Sequence, residues 1–120
     1  MTKILAADDS TSIRQMVTFT LKEAGYDVVD VVDGQRALEA AQTQQFDVVI
    51  SDINMPNMDG IELVKRLRSL PAYKFTPILM LTTESSQEKK MEGKQAGATG
   101  WLVKPFNPDQ LLKTISRVLT

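Results

Sequence analysis

Phe46-Asp47-Val48-Val49-Ile50-Ser51-Asp52-Ile53-Asn54-Met55-Pro56-Asn57-Met58-Asp59-Gly60 is the stretch that decides the fold. A short apolar run ends on an acid, and a turn rich in Asn, Pro, Asp and Gly follows. Ile61, Val64 and Leu67 then fall on one face of a helix that stops before Pro71. The run lacks the period-2 alternation of a strand with one wet face, so it reads as a strand buried on both faces of a parallel sheet. Similar runs recur at Ile4-Leu5-Ala6-Ala7, Val28-Val29-Asp30-Val31-Val32, Ile78-Leu79-Met80-Leu81 and Trp101-Leu102-Val103.

Helical patterns separate them. Ile13, Met16, Val17, Leu21 and Ala24 share a face that Gly25 ends. Asp33 is placed to cap a helix lined by Ala37, Leu38 and Ala41. Asn107 and Pro108 supply the cap and first turn of a helix lined by Leu111, Leu112, Ile115, Val118 and Leu119. Residues 85–96 offer little beyond Met91 and Ala96, which predicts a thinly anchored surface helix. The order βαβαβαβαβα requires right-handed crossovers, so helices cover both faces of a five-stranded parallel sheet. This α/β, doubly wound reading takes residues 1–120 as one domain with no linker, repeat or output domain.

Composition narrows the chemistry. The 120 residues carry 14 Lys+Arg against 15 Asp+Glu, net −1, with no histidine and no cysteine. Those two zeros exclude Ser-His-Asp and Cys-His nucleophiles, zinc sites on Cys or His, disulfides and thiol redox chemistry. The near-neutral balance gives no electrostatic case for nucleic acid. No apolar run approaches the ~20 residues needed to span a bilayer, and no signal-peptide pattern opens the chain. A cytoplasmic monomer is therefore expected.

What remains is carboxylates, hydroxyls, lysine and an oxygen-loving cation. Just past the strands stand Asp8-Asp9, Asp52, Thr82 and Lys104, and in doubly wound sheets the site lies at the carboxyl ends of the strands. A pair of carboxylates ~4 Å apart repels by about 1 kcal/mol in water and about 4 at an effective dielectric near 20. Left alone, one takes up a proton; Mg²⁺ resolves the conflict without protonation, because it wants oxygen ligands. Lys104 offers a point charge for a phosphoryl oxygen, Thr82 a hydroxyl donor, and Asp52 a carboxylate nucleophile.

Asp8-Asp9, the run from Asp52 to Gly60, Thr82 and Lys104-Pro105 resemble the receiver domain of two-component response regulators, and the stand-alone chemotaxis (CheY-like) regulators in particular. The resemblance covers residues 3–119. It implies a flavodoxin-like fold with strand order 2-1-3-4-5, an order that comes with the family and not from the pattern. It implies that Asp52 accepts a phosphoryl group and that Asp9 and Asp52 ligate Mg²⁺, with Asp8 acting through water and Asn54 through its backbone carbonyl. Thr82 and Lys104 would hold phosphoryl oxygens, and the Lys104-Pro105 bond would be cis. Trp101 takes the place of the aromatic switch, and Asn54 and Glu84 the two positions that tune phosphoryl lifetime. Thr83 departs from the family, which carries a small residue there. The implied partners are a histidine kinase of the CheA type as phosphodonor, a flagellar motor switch protein as target, and a phosphatase. A relay or adaptor receiver outside chemotaxis is the alternative. Such a domain catalyses only its own phosphorylation and dephosphorylation.

Plainer readings exist for each residue. Asp8 or Asp9 could cap the helix beginning near Thr11, Asp52 could open the turn, and Trp101 could be a core aromatic. An aspartate-nucleophile phosphatase of the haloacid dehalogenase-like type would carry a second Asp two positions after Asp52, where this chain has Asn54. A flavin-binding module would not place Asp8-Asp9 against a phosphate.

Overall fold

The computed structural model describes residues 1–82 and 87–119. Its elements are β1 (Lys3–Ala7), α1 (Thr11–Glu23), β2 (Asp27–Val31), α2 (Gly34–Thr43), β3 (Val48–Asp52), α3 (Gly60–Arg68), a 3₁₀ turn at Pro71–Tyr73, β4 (Ile78–Thr82), α4 (Gln87–Ala96), β5 (Gly100–Val103) and α5 (Pro108–Val118). The strands form one parallel sheet in the order β2-β1-β3-β4-β5, as the resemblance implied.

Successive side chains of a strand point to opposite faces, and here both faces are covered. Leu5, Ala7, Val49, Ile78 and Met80 face α2 and α3, where Ala37, Ala41, Ile61, Val64 and Leu67 join them. Ile4, Ala6, Val48, Ile50, Leu79 and Leu81 face α1 and α5, packing on Val17, Leu21, Leu111 and Ile115. Apolar residues at every position are thus shared between two cores.

That reading holds for the three inner strands only. β1, β3 and β4 are almost wholly buried, whereas β2 and β5 are only partly so, with Asp30 and Val103 exposed. The strand order is the reason: β2 and β5 are the edges, where helices cover less. Three boundaries also shift. β3 begins at Val48, and Phe46 is buried ahead of it with its N–H donating to the Tyr73 hydroxyl at 3.2 Å. Asp52 and Thr82 are the last residues of their strands and do not lie beyond them.

The helices start where short polar side chains accept from the first-turn amides. Ser10, Asp33, Asp59 and Asn107 are the N-caps of α1, α2, α3 and α5, and Asn107 completes a capping box with Gln110. Ser10, not Asp8 or Asp9, does this for α1, leaving the acids for other work. α4 has Gly93 as its one buried residue, in keeping with the weak apolar pattern of 85–96, of which Ser85 and Ser86 lie outside the described residues. Among the described residues no helix is long and apolar enough to cross a membrane.

The start of α3 lies tight against the end of β3. The Gly60 N–H donates to the Ile53 carbonyl at 2.7 Å, and a methyl group on Gly60 would collide with the Asp52 carbonyl. Only glycine fits this close approach. Gly60→Ala is expected to cost about 1–3 kcal/mol, the usual range for forced overpacking, read as a lower urea midpoint. An unchanged midpoint would show that α3 can move off the strand end without penalty.

Candidate functional site

Parallel pairing brings every strand's carboxyl end to one edge, and register fixes which residues are level there. Ala7 pairs with Ser51, so Asp8 comes level with Asp52. Thr82 pairs with Val103, so Lys104 follows at the same edge. Asp8, Asp9 and Asp52 each bring a carboxylate oxygen within 4.8 Å of the others. The Lys104 ammonium enters this cluster, its Nζ 3.0 Å from Asp8 Oδ2 and 3.3 Å from Asp52 Oδ2.

The supports of each acid differ. Asp8 is buried, and its second oxygen accepts from the Ser10 N–H at 2.8 Å. Its backbone carbonyl accepts from Arg14 Nη1 at 2.8 Å, while Arg14 Nε donates to Asp30 at 3.1 Å. Asp52 is buried, with Oδ1 accepting from the Ile53 N–H at 2.9 Å. Asp9 is exposed to solvent. Burial pushes the Asp52 carboxyl above the usual carboxylate range; the Lys104 charge opposes that, and the Asp8 charge adds to it. The donors are all hard oxygens and their charges repel, a set that fits Mg²⁺ and gives a softer metal no thiolate or imidazole.

The other expected residues are spread around this cluster. Thr82 is buried at the end of β4, and its backbone carbonyl accepts from the Lys104 N–H at 2.7 Å. Asn54 is exposed in the turn between β3 and α3. The Lys104-Pro105 bond is cis. Trp101 is half-buried, packed against the core on the α3 side, with its ring edge directly over Gly93 of α4. Thr83 and Glu84 lie outside the described residues. Sequence reasoning passed over Arg14 and Gly93. Both sit inside helical patterns, and neither type signals a role until the fold shows what it touches.

A doubly wound, flavodoxin-like sheet whose switch-point edge carries three carboxylates, two of them bridged by one lysine, defines the class. The chain belongs to the response regulator receiver domain family, whose profile matches residues 4–116. Its fold superposes on the crystal structure of the Vibrio cholerae chemotaxis protein CheY4 with a TM-score of 0.96 and 65% identity, over 98% of each chain. It is 37% identical to Vibrio cholerae chemotaxis protein CheY-3 over 97% of this chain and 90% of that protein. It is also 37% identical to the alkaline phosphatase synthesis transcriptional regulatory protein PhoP of Bacillus subtilis, spanning 98% of this chain but only 48% of that relative. The chain is thus a receiver domain of the two-component type, close to the chemotaxis proteins.

The raised Asp52 pKa has a consequence for metal-free protein. The native state holds this proton more tightly than the unfolded chain, whose carboxyl titrates near 3.8. The resulting stabilisation is full below 3.8 and is lost as pH rises through the native value. In chelator, Asp52→Asn is expected to be more stable than the wild type at pH 7, the gap closing as pH falls toward 3.8. A gap that stays constant from pH 7 to 4 in urea titrations would contradict a strained carboxylate.

Proposed function

We propose that this chain is a phosphorylation-activated switch in which Asp52 accepts a phosphoryl group from the phosphohistidine of a kinase. The P–N bond of the donor breaks as the bond from Asp52 Oδ to phosphorus forms, and the histidine leaves with the electron pair. The observation that carries this reading is the Asp52 carboxylate, buried at a strand end, in contact with Lys104 and within reach of Asp8 and Asp9.

A carboxylate attacks only when ionised, and burial works against that. Lys104 favours the ionised form. Bound Mg²⁺, held by Asp9, Asp52 and the Asn54 carbonyl with Asp8 behind a water, would offset the remaining repulsion and draw charge from the phosphoryl oxygens. Phosphorylation then adds about one unit of negative charge or less, and three acceptor oxygens. Lys104, shared between two acids, can exchange one of them for a phosphoryl oxygen, and the Thr82 hydroxyl is at the right edge to donate to another. Movement of Thr82 toward the phosphoryl group vacates space for Trp101 to turn inward.

Reversing a switch from 1:99 to 99:1 requires about 5.5 kcal/mol. Two or three charge-assisted hydrogen bonds at about 1.5–3 kcal/mol each supply it. The surface altered runs through α4, β5 and α5. The likeness to CheY4 and CheY-3 supports chemotaxis, with a CheA-type kinase as donor, a flagellar motor switch protein as target and a phosphatase to reset the signal. These 120 residues contain no histidine, so the phosphohistidine lies outside them or the donor is a small acyl phosphate. Asn54 speaks against an aspartate-nucleophile phosphatase of the haloacid dehalogenase-like type, which carries a second Asp there. The only chemistry is on the chain's own aspartate.

Asp52→Asn is expected to abolish the mass gain seen on incubation with acetyl phosphate and Mg²⁺. A full mass gain in that variant would remove Asp52 from the role. Trp101 emission is expected to shift when beryllofluoride and Mg²⁺ are added to the wild type and to stay fixed in the Asp52→Asn chain. A flat response in the wild type would leave Trp101 as a core aromatic.

A further inference from the structure

The turn from Ile53 to Asp59 carries Asn54 and follows Asp52 directly, yet its shape is held from the neighbouring strand connection. Asn57 adopts a left-handed backbone conformation, φ 69°, uncommon for any residue but glycine and commonest among the rest for Asn and Asp. Its side-chain Nδ2 donates to Asp33 Oδ2 at 2.7 Å. Asp33 is buried, and its other oxygen accepts from the Arg36 N–H at 2.8 Å to cap α2. The next residue on each side is joined as well: Gly34 lies flush on Met58, with no room for a side chain against the Met58 carbonyl. Two successive residues of the turn are therefore fixed to the first two residues at the start of α2. Within the turn, Met58 N–H donates to the Pro56 carbonyl and Gly60 N–H to the Ile53 carbonyl, each at 2.7 Å.

Asp33 is not part of the Asp8, Asp9 and Asp52 cluster, and Asn57 is three residues beyond Asn54. A capping role for Asp33 accounts for one of its oxygens and not for the other. We infer that the Asn57–Asp33 hydrogen bond is a positioning contact for the metal site: it holds the turn in the shape that presents Asp52 and the Asn54 carbonyl together, and so sets the affinity for Mg²⁺. The inference rests on the reading of Asn54 as a metal ligand given above. A charged acceptor makes this the stronger kind of hydrogen bond, and supports behind metal ligands commonly alter affinity by ten- to a hundredfold. Asp33 is kept ionised by the amides that it accepts from, so the acceptor is charged across the physiological range.

Asn57→Gly tests this, because glycine keeps the left-handed conformation open and removes only the amide. Calorimetric titration of the whole chain with MgCl₂ is expected to show a dissociation constant raised by about tenfold. In metal-free protein, exchange of the Met58 and Gly60 amides is expected to quicken while that of β4 amides stays unchanged. Asn57→Asp, which sets two carboxylates against each other, is expected to weaken binding further. The exchange Asp33→Asn with Asn57→Asp rebuilds the bond with its polarity reversed and is expected to restore most of the affinity.

Wild-type affinity in Asn57→Gly overturns the inference, as does a double exchange that binds no better than Asn57→Asp alone. A wild-type chain that takes up no Mg²⁺ overturns it together with the metal reading. Asp52 as phosphoacceptor is judged separately, by the mass gain from acetyl phosphate.

Discussion

One ammonium group ties the two ends of the chain together at the site. Lys104 Nζ contacts Asp8, 96 positions earlier, and Asp52 from the middle strand. All three side chains are largely withdrawn from water. Two buried acids beside each other are unfavourable, and a single lysine between them is a partial remedy. Net charge in the buried group stays negative, and exposed Asp9 adds to it. The cluster is therefore a site with an unmet demand for positive charge, and its geometry is set by strand register. No side chain of the cluster could be moved to another residue without losing the register that makes Asp8 level with Asp52 and Lys104 adjacent to the end of β4.

Because the cluster depends on backbone placement, the structure spends its polar contacts on the loops around it. Arg14 grips the Asp8 carbonyl and Asp30, and Asn57 grips Asp33. Asp30 lies near the end of β2, the edge strand that contributes no acid to the cluster, and Asp33 just past it at the N-cap of α2. The exposure of β2, which distinguishes it from β1, β3 and β4, lets it carry Asp30, whereas Asp33 is buried and held by its hydrogen bonds to Arg36 and Asn57.

The fold was legible wherever burial was complete. Ile4-Leu5-Ala6-Ala7 and Ile78-Leu79-Met80-Leu81 serve two cores at once, so their continuous apolar character survives in sequence. The edge strands were located, but their half-exposure was not foreseen, because strand order is a long-range property that no local pattern contains. That the acids, Thr82 and Lys104 share one edge was legible because the topology sends the carboxyl ends of parallel strands to one place. The resemblance supplied what local pattern could not, the strand order and the cis Lys104-Pro105 bond. Arg14, Gly93 and the second oxygen of Asp33 were illegible for a physical reason: each acts through a contact with a separate element, and an arginine or glycine within a helix announces nothing by itself.

The same logic separates a rigid from a pliable side of the domain. α4 contributes little apolar surface, and its ion pair Lys89–Glu92, at 3.7 Å and exposed, adds at most a few tenths of a kcal/mol. A glycine within a helix costs about 1 kcal/mol relative to alanine, so Gly93 weakens the helix that carries it. What Gly93 gives in return is a seat for the Trp101 ring, since any side chain there would occupy the space of the indole. The one buried residue of α4 is thus buried against the residue three positions before Lys104. A shift of Trp101 changes the contact that buries Gly93 of α4. Low local stability in α4 makes such a change inexpensive, whereas the α1–α5 face buries Val17, Leu21, Leu111 and Ile115 together. On the proposed switch reading, that asymmetry of packing favours a path from Asp52 through β5 to α4.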